Sequence, residues 1–109
     1  MKNTIATKAF IALGQDNRLS VFRLIVQRGD KGLTPTKIKE LLGIPSATLS
    51  FHLRELLLAN LVLVERNGRS LTYKPNVKFT NELMKFLLEN CCNGEECLSV
   101  IKLKKKIRN

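Results

Sequence analysis

The sequence predicts a mainly α-helical fold carrying one β-hairpin late in the chain, on three observations. Apolar residues recur at helical spacing through the first half, and glycines punctuate those runs. The period then switches to two on either side of Arg66-Asn67-Gly68-Arg69, where Asn-Gly is the strongest short hairpin signal. Beyond the hairpin a helical period returns.

Residues 4–13 place Ile5, Ala9, Ala12 and Leu13 on one face, and Gly14 ends the run. Asp16 is a candidate N-cap for a second helix with Leu19, Phe22, Ile25 and Val26 inward, stopping at Gly29. Thr34-Pro35 starts a third, short helix through Ile38, Leu41 and Leu42, because proline suits the first helical position. Gly43 closes it, and Ile44-Pro45-Ser46 makes a tight break. A fourth helix, about Ser46–Ala59, has Leu49, Leu53, Leu56 and Leu57 as its core stripe. Leu61–Glu65 and Ser70–Lys74 read as the hairpin strands. Val77–Cys92 reads as the last helix through Leu83, Phe86 and Leu87, with Asn93-Gly94 as its stop. This is the element order of a winged helix-turn-helix, the hairpin being the wing.

By length the 109 residues form one domain, taken as 1–97. A basic tail, 98–109, can be a solvated and disordered end. No apolar run approaches a membrane span, and the N-terminus lacks the pattern of a secretory signal, so the expected location is cytoplasmic. Nineteen Lys and Arg against nine Asp and Glu give a net charge of +10. Such a surplus points to a polyanionic partner, most often nucleic acid. The tail holds Lys102, Lys104, Lys105, Lys106 and Arg108, yet the body stays basic without it.

A helix that enters the major groove buries one face and offers small, polar or apolar groups on the other. With Leu49 and Leu53 inward, Ala47, Phe51 and Arg54 point away, flanked by Thr48 and Ser50. Phe51 suits contact with a thymine methyl or a sugar; the alternative is packing against a neighbouring loop. Ser46 suits helix capping or a phosphate contact at the helix N-terminus. Arg66 and Arg69 flank the hairpin tip and suit phosphate or minor-groove contact, the alternative being a solvated turn. His52 falls nearer the core side and reads as a structural group.

All three cysteines, Cys91, Cys92 and Cys97, lie in one short stretch, Glu89–Val100. In a reducing compartment an odd, clustered set is not a disulfide framework. A metal site, a redox switch and inert packing stay open at this point. Catalysis has little to stand on: there is one histidine, and no paired carboxylates or Gly-rich phosphate loop accompany it. The expected answer is that the chain is not an enzyme.

The stretches ALGQDNRLSVFRLI, LGIPSATLSFHLRELLLANLV and RNGRSLTYK resemble the ArsR/SmtB family of metal-responsive transcriptional repressors, from about Ala9 to Asn93. The resemblance implies a homodimer formed through the N- and C-terminal helices, bound to double-stranded operator DNA when inducer-free and released when inducer binds. It implies no cofactor for DNA binding. One arsenic site of that family needs cysteines in the third helix, and Lys37–Leu41 has none. Another, for zinc or nickel, needs histidines on the last helix, and His52 is the only histidine. A third arrangement, a vicinal pair plus one later cysteine, matches Cys91, Cys92 and Cys97 and takes trivalent arsenic.

Soft thiolates select soft ions, and trivalent arsenic or antimony needs three sulfurs where tetrahedral zinc needs four ligands. On a helix, adjacent Cys91 and Cys92 point about 100° apart, so the helix end must loosen at Gly94 for both to serve one centre. The alternatives are cadmium or lead sensing, thiol redox sensing, or a constitutive nucleic-acid-binding module with incidental cysteines. Redox sensing is disfavoured by Glu89, Glu95 and Glu96 beside the thiols.

Overall fold

The computed structural model describes residues 1–89. Five α-helices and a two-stranded hairpin follow in the predicted order: α1 (Asn3–Leu13), α2 (Asp16–Arg28), α3 (Pro35–Leu42), α4 (Ser46–Leu58), β1 (Val62–Asn67), β2 (Ser70–Pro75) and α5 (Val77–Leu88). A single 3₁₀ turn, Gly29–Lys31, continues α2.

The turn between α3 and α4 rests on local chemistry. Thr34 Oγ1 accepts from the Lys37 amide at 3.3 Å, and Pro35 opens α3 with a preset φ. Gly43 closes it in the left-handed region at φ 66°, where a side chain would be strained. Pro45 then takes the capping position of α4 and offers no side-chain acceptor. Ser46 is therefore the first helical residue and not the cap, which is one of the two roles its position suits. Asp16 is corrected likewise: Gln15 caps α2, its Oε1 accepting from the Arg18 amide at 2.7 Å. Asp16 stands in the first turn, where its charge favours the helix dipole.

Val21 and Ile25 of α2, Ile38 of α3, Leu49, Leu53 and Leu56 of α4, and Leu61 and Val62 form the core, with Leu83 of α5 joining it. Burying a side chain of this size stabilises the fold by roughly 1.5–3 kcal/mol. Several residues expected inward are exposed instead: Ile5, Leu19, Val26, Leu41 and Leu87. In α1 the inward stripe is Ala6, Ala9 and Ala12. Small residues let α1 lie close on α2 and α4, and this turns Ile5 and Ile11 outward. In α2 the buried stripe is Val21, Phe22 and Ile25, which leaves Leu19 and Val26 outside it.

β1 and β2 pair antiparallel from Val62↔Pro75 to Asn67↔Ser70. The two-residue loop is thus Gly68-Arg69, one position later than an Asn-Gly turn. Positive φ falls on Gly68 alone of the two, the pattern of a type II′ hairpin. Arg69 occupies the tip, while Arg66 sits within β1 opposite Leu71. On the other side of β2, Leu33 and Tyr73 exchange both backbone hydrogen bonds at 2.9 and 2.8 Å. Gly32 permits that approach, because a Cβ there would overlap the Thr72 side chain. The base of the wing is thereby tied to the α2–α3 connection.

Asn60 turns the chain out of α4 at φ 65°. Its carbonyl and Oδ1 both accept from Asn76 Nδ2, at 3.0 and 3.2 Å. Asn76 also caps α5, its Oδ1 accepting from the Phe79 amide at 3.2 Å. One residue thus ties the exit of α4 to the start of α5. The last helix ends at Leu88, with Glu89 in an extended conformation (φ −57°, ψ 131°). This is short of the expected end at Cys92. The stop at Asn93-Gly94, the three cysteines and the basic tail lie outside the described residues.

Candidate nucleic-acid interface

α4 is the element to build from. Its buried stripe, Leu49, His52, Leu53 and Leu56, fixes the rotation of the helix and leaves the opposite face to solvent. Ser46, Ala47, Thr48, Ser50, Phe51 and Arg54 are all exposed, as are Arg66 and Arg69 on the wing. Every side chain expected to meet nucleic acid is accessible.

These residues are not all brought together. A shallow depression of about 200 Å³ is lined by Ser46, Leu49 and Ser50 of α4 with Pro35, Thr36 and Lys39 of α3. A second, of about 380 Å³, is lined by Thr34, Pro35 and Thr36 with Arg69, Ser70 and Leu71. The N-terminus of α3 is common to both, so the start of α4 and the wing tip flank the same few residues. Arg66 lines neither depression.

Thr36 and Lys39 are the residues that sequence reasoning missed. Lys39 Nζ donates to Ser46 Oγ at 2.8 Å, which places an ammonium beside the first turn of α4. A cation next to a helix N-terminus strengthens an anion-binding position. The signal was present in the short turn, because any residue near the end of α3 must lie close to the start of α4.

Phe51 is 45 % exposed. The Arg18 guanidinium of α2 lies over one side of its ring, 5.4 Å from the centroid, and the His52 ring is tilted against it at 5.9 Å. His52 is only 4 % exposed, on the core side as expected. Its Nδ1 accepts from Arg18 Nε at 3.3 Å, whereas its buried Nε2 has no partner among the described residues. Burial, and secondarily the Arg18 charge, lower its pKa from the ordinary histidine value of 6.5. The imidazole is therefore neutral near pH 7, and its Nε2 carries the proton.

On the wing, Lys74 Nζ and Glu65 Oε2 pair at 2.6 Å. The pairing pulls the Glu65 pKa down and pushes the Lys74 pKa up. Glu65 is exposed and Lys74 half-exposed, and such surface pairs contribute little to stability. Among the described residues no three His, Cys, Asp or Glu side chains are grouped as a metal set, and no helix is long and apolar enough to cross a membrane.

Residues 13–65 match the family model of a helix-turn-helix domain. No curated protein matches the chain. Among solved structures, an ArsR-like transcriptional regulator from Rhodococcus sp. RHA1 superposes with a TM-score of 0.74 at 19% identity, covering 92% of each chain. Mb0332 from Mycobacterium bovis, a homodimeric winged helix-turn-helix DNA-binding domain and possible ArsR-family regulator, gives 0.63 at 21% identity, covering 86% of this chain and 87% of its own. Reduced HlyU from Vibrio cholerae N16961 gives 0.61 at 23% identity, covering 77% and 88%. The helix-turn-helix segment and the hairpin after it make a winged helix-turn-helix: the chain has this fold and is similar in it to ArsR-like transcriptional regulators.

Proposed function

We propose that the chain is a homodimeric transcriptional repressor of the ArsR type, which binds operator DNA when inducer-free and leaves it when trivalent arsenic or antimony binds Cys91, Cys92 and Cys97. The observation that carries the DNA-binding half is the exposed face of α4, small and polar apart from Phe51, set beside Lys39 and the wing tip. In this reading α4 lies in the major groove, Ser46, Lys39 and Arg69 hold phosphates, and Ala47, Thr48, Ser50, Phe51 and Arg54 meet base edges. Arg66, within β1 and lining neither depression, is a backbone or minor-groove contact.

The dimer is supported by apolar side chains that the single chain leaves bare: Ile5 and Ile11 on α1, and Met84, Leu87 and Leu88 on α5. A groove of about 520 Å³ between these helices is lined by Met1, Ile5, Phe79 and Phe86 among others. A two-fold partner would cover this region, and two α4 helices would then read an imperfect palindrome.

The inducer half rests on donor chemistry. Three soft thiolates suit the pyramidal trivalent metalloids. α5 has already stopped at Leu88, so the ligand need not unwind its last turn; it would act on the chain leaving α5. Thiol redox sensing is the second reading, favoured by the likeness to a structure described as reduced HlyU.

One titration of the protein–operator complex with arsenite, antimonite, cadmium, zinc and peroxide separates these readings. Arsenite and antimonite are expected to release the DNA, a dithiol chelator to restore binding, and Cys92→Ser to abolish the response while leaving inducer-free binding intact. A Cys92→Ser protein that still responds to arsenite moves the site elsewhere. Release by peroxide and not by arsenite transfers the function to redox sensing.

A further inference from the structure

Arg18 is a part-buried basic residue of α2, and its side-chain contacts reach two other helices, α1 and α4. Nη1 donates to the Ala12 carbonyl at 3.2 Å, one of the terminal carbonyls of α1 that a helix cannot satisfy by itself. Nε donates to His52 Nδ1 at 3.3 Å across a separation of 34 residues. Its guanidinium carbon lies over the Phe51 ring, 5.4 Å from the centroid, within reach of a cation–π attraction. Its backbone amide is held by Gln15 Oε1 at 2.7 Å, so the residue carrying these contacts is fixed at the start of α2.

The contacts act in one direction. His52 is buried in the stripe of α4 that meets the core, so a bond to its Nδ1 resists rotation of α4 about its own axis. Phe51 is the neighbouring residue, about 100° round the helix, and its ring is the largest apolar group on the exposed face. Left to itself that ring would sample several rotamers, and ordering it on DNA would cost entropy at the moment of binding. A guanidinium donates from separate nitrogens in a fixed fork while its charge stays over the ring; an ammonium, a single point charge, cannot reach all three groups at once.

We propose that Arg18 is a positioning residue for DNA reading, holding Phe51 in the orientation it uses in the groove through its simultaneous grip on Ala12, His52 and Phe51. This rests on the operator-binding reading above. It also separates Arg18 from the other cations proposed for the interface, because its Nε and Nη1 donate to the protein's own groups.

The test begins by selecting a preferred duplex from a random pool with the wild-type chain. A chain that selects no sequence overturns both the operator-binding reading and this role. With the selected duplex and a scrambled one, affinities are measured across a salt series for wild type, Arg18→Gln, Arg18→Lys, Phe51→Leu and the double variants combining each Arg18 change with Phe51→Leu. Arg18→Gln is expected to lower the ratio of specific to non-specific affinity roughly tenfold. Arg18→Lys, which keeps the charge, is expected to lower it as well. Neither change should alter the salt slope, and in the Phe51→Leu background both should have little further effect. A salt slope that falls by about one makes Arg18 a phosphate ligand and overturns the proposal. Losses that simply add to that of Phe51→Leu overturn it too. If Arg18→Gln fails to fold, the cycle of Arg18→Lys with Phe51→Leu decides the matter alone.

Discussion

His52 has a surrounding that resists protonation. Its ring is buried, its Nδ1 already accepts from Arg18, and a second cation beside that guanidinium would be repelled. With the folded pKa below 6.5, the unfolded chain binds a proton in the window between the two values while the folded chain does not. Stability from this group is therefore complete above pH 6.5 and is lost as pH falls through that window. We expect the urea midpoint to drop between about pH 7.5 and about pH 5.5, and to drop less in His52→Gln. Equal drops in the two proteins would place the acid sensitivity in other groups. The core-side placement of His52 was legible from helical spacing alone. Its partner was not, because nothing local couples residues so distant in the chain.

At the scale of elements, order and type were legible because the glycines and Pro35 are punctuation with steric causes. Rotation about the helix axes was less so. Ile5 and Leu19 looked inward by hydropathy, but contact between α1 and its neighbours selects the alanine stripe, and close approach outweighs side-chain size there. The wing shows the same limit. Asn67-Gly68 marked the hairpin correctly, yet pairing of Asn67 with Ser70 moved the turn by one residue and left Arg69, rather than both arginines, at the tip. We expect Arg69→Ala to weaken operator binding and to lower the magnitude of the salt slope by about one, the signature of a lost phosphate contact. Arg66→Ala should do the same to a smaller extent. An unchanged slope for both variants would remove the wing from the interface. The end of α5 was misjudged because the helical period continues in sequence past Leu88, where the backbone turns extended.

For the molecule as a whole, composition points to a polyanion partner, and the exposed faces of α1 and α5 fit the proposed second copy of the chain. If those faces close on each other, folding is linked to association and the unfolding midpoint must rise with protein concentration. Thermal or urea unfolding over a hundredfold concentration range checks this, and a midpoint independent of concentration would mean that the monomer stands alone. The wing's edge has a bearing on where assembly stops. β2 is flanked by β1 and, at Tyr73, by Leu33, so β1 keeps the open edge of the sheet. Exposed Leu63 and Val64 lie on that strand beside Glu65 and Arg66, and charges on an edge oppose strand-to-strand addition. If a two-fold partner covers α1 and α5, the charged edge of β1 denies the resulting pair one route of growth into a filament.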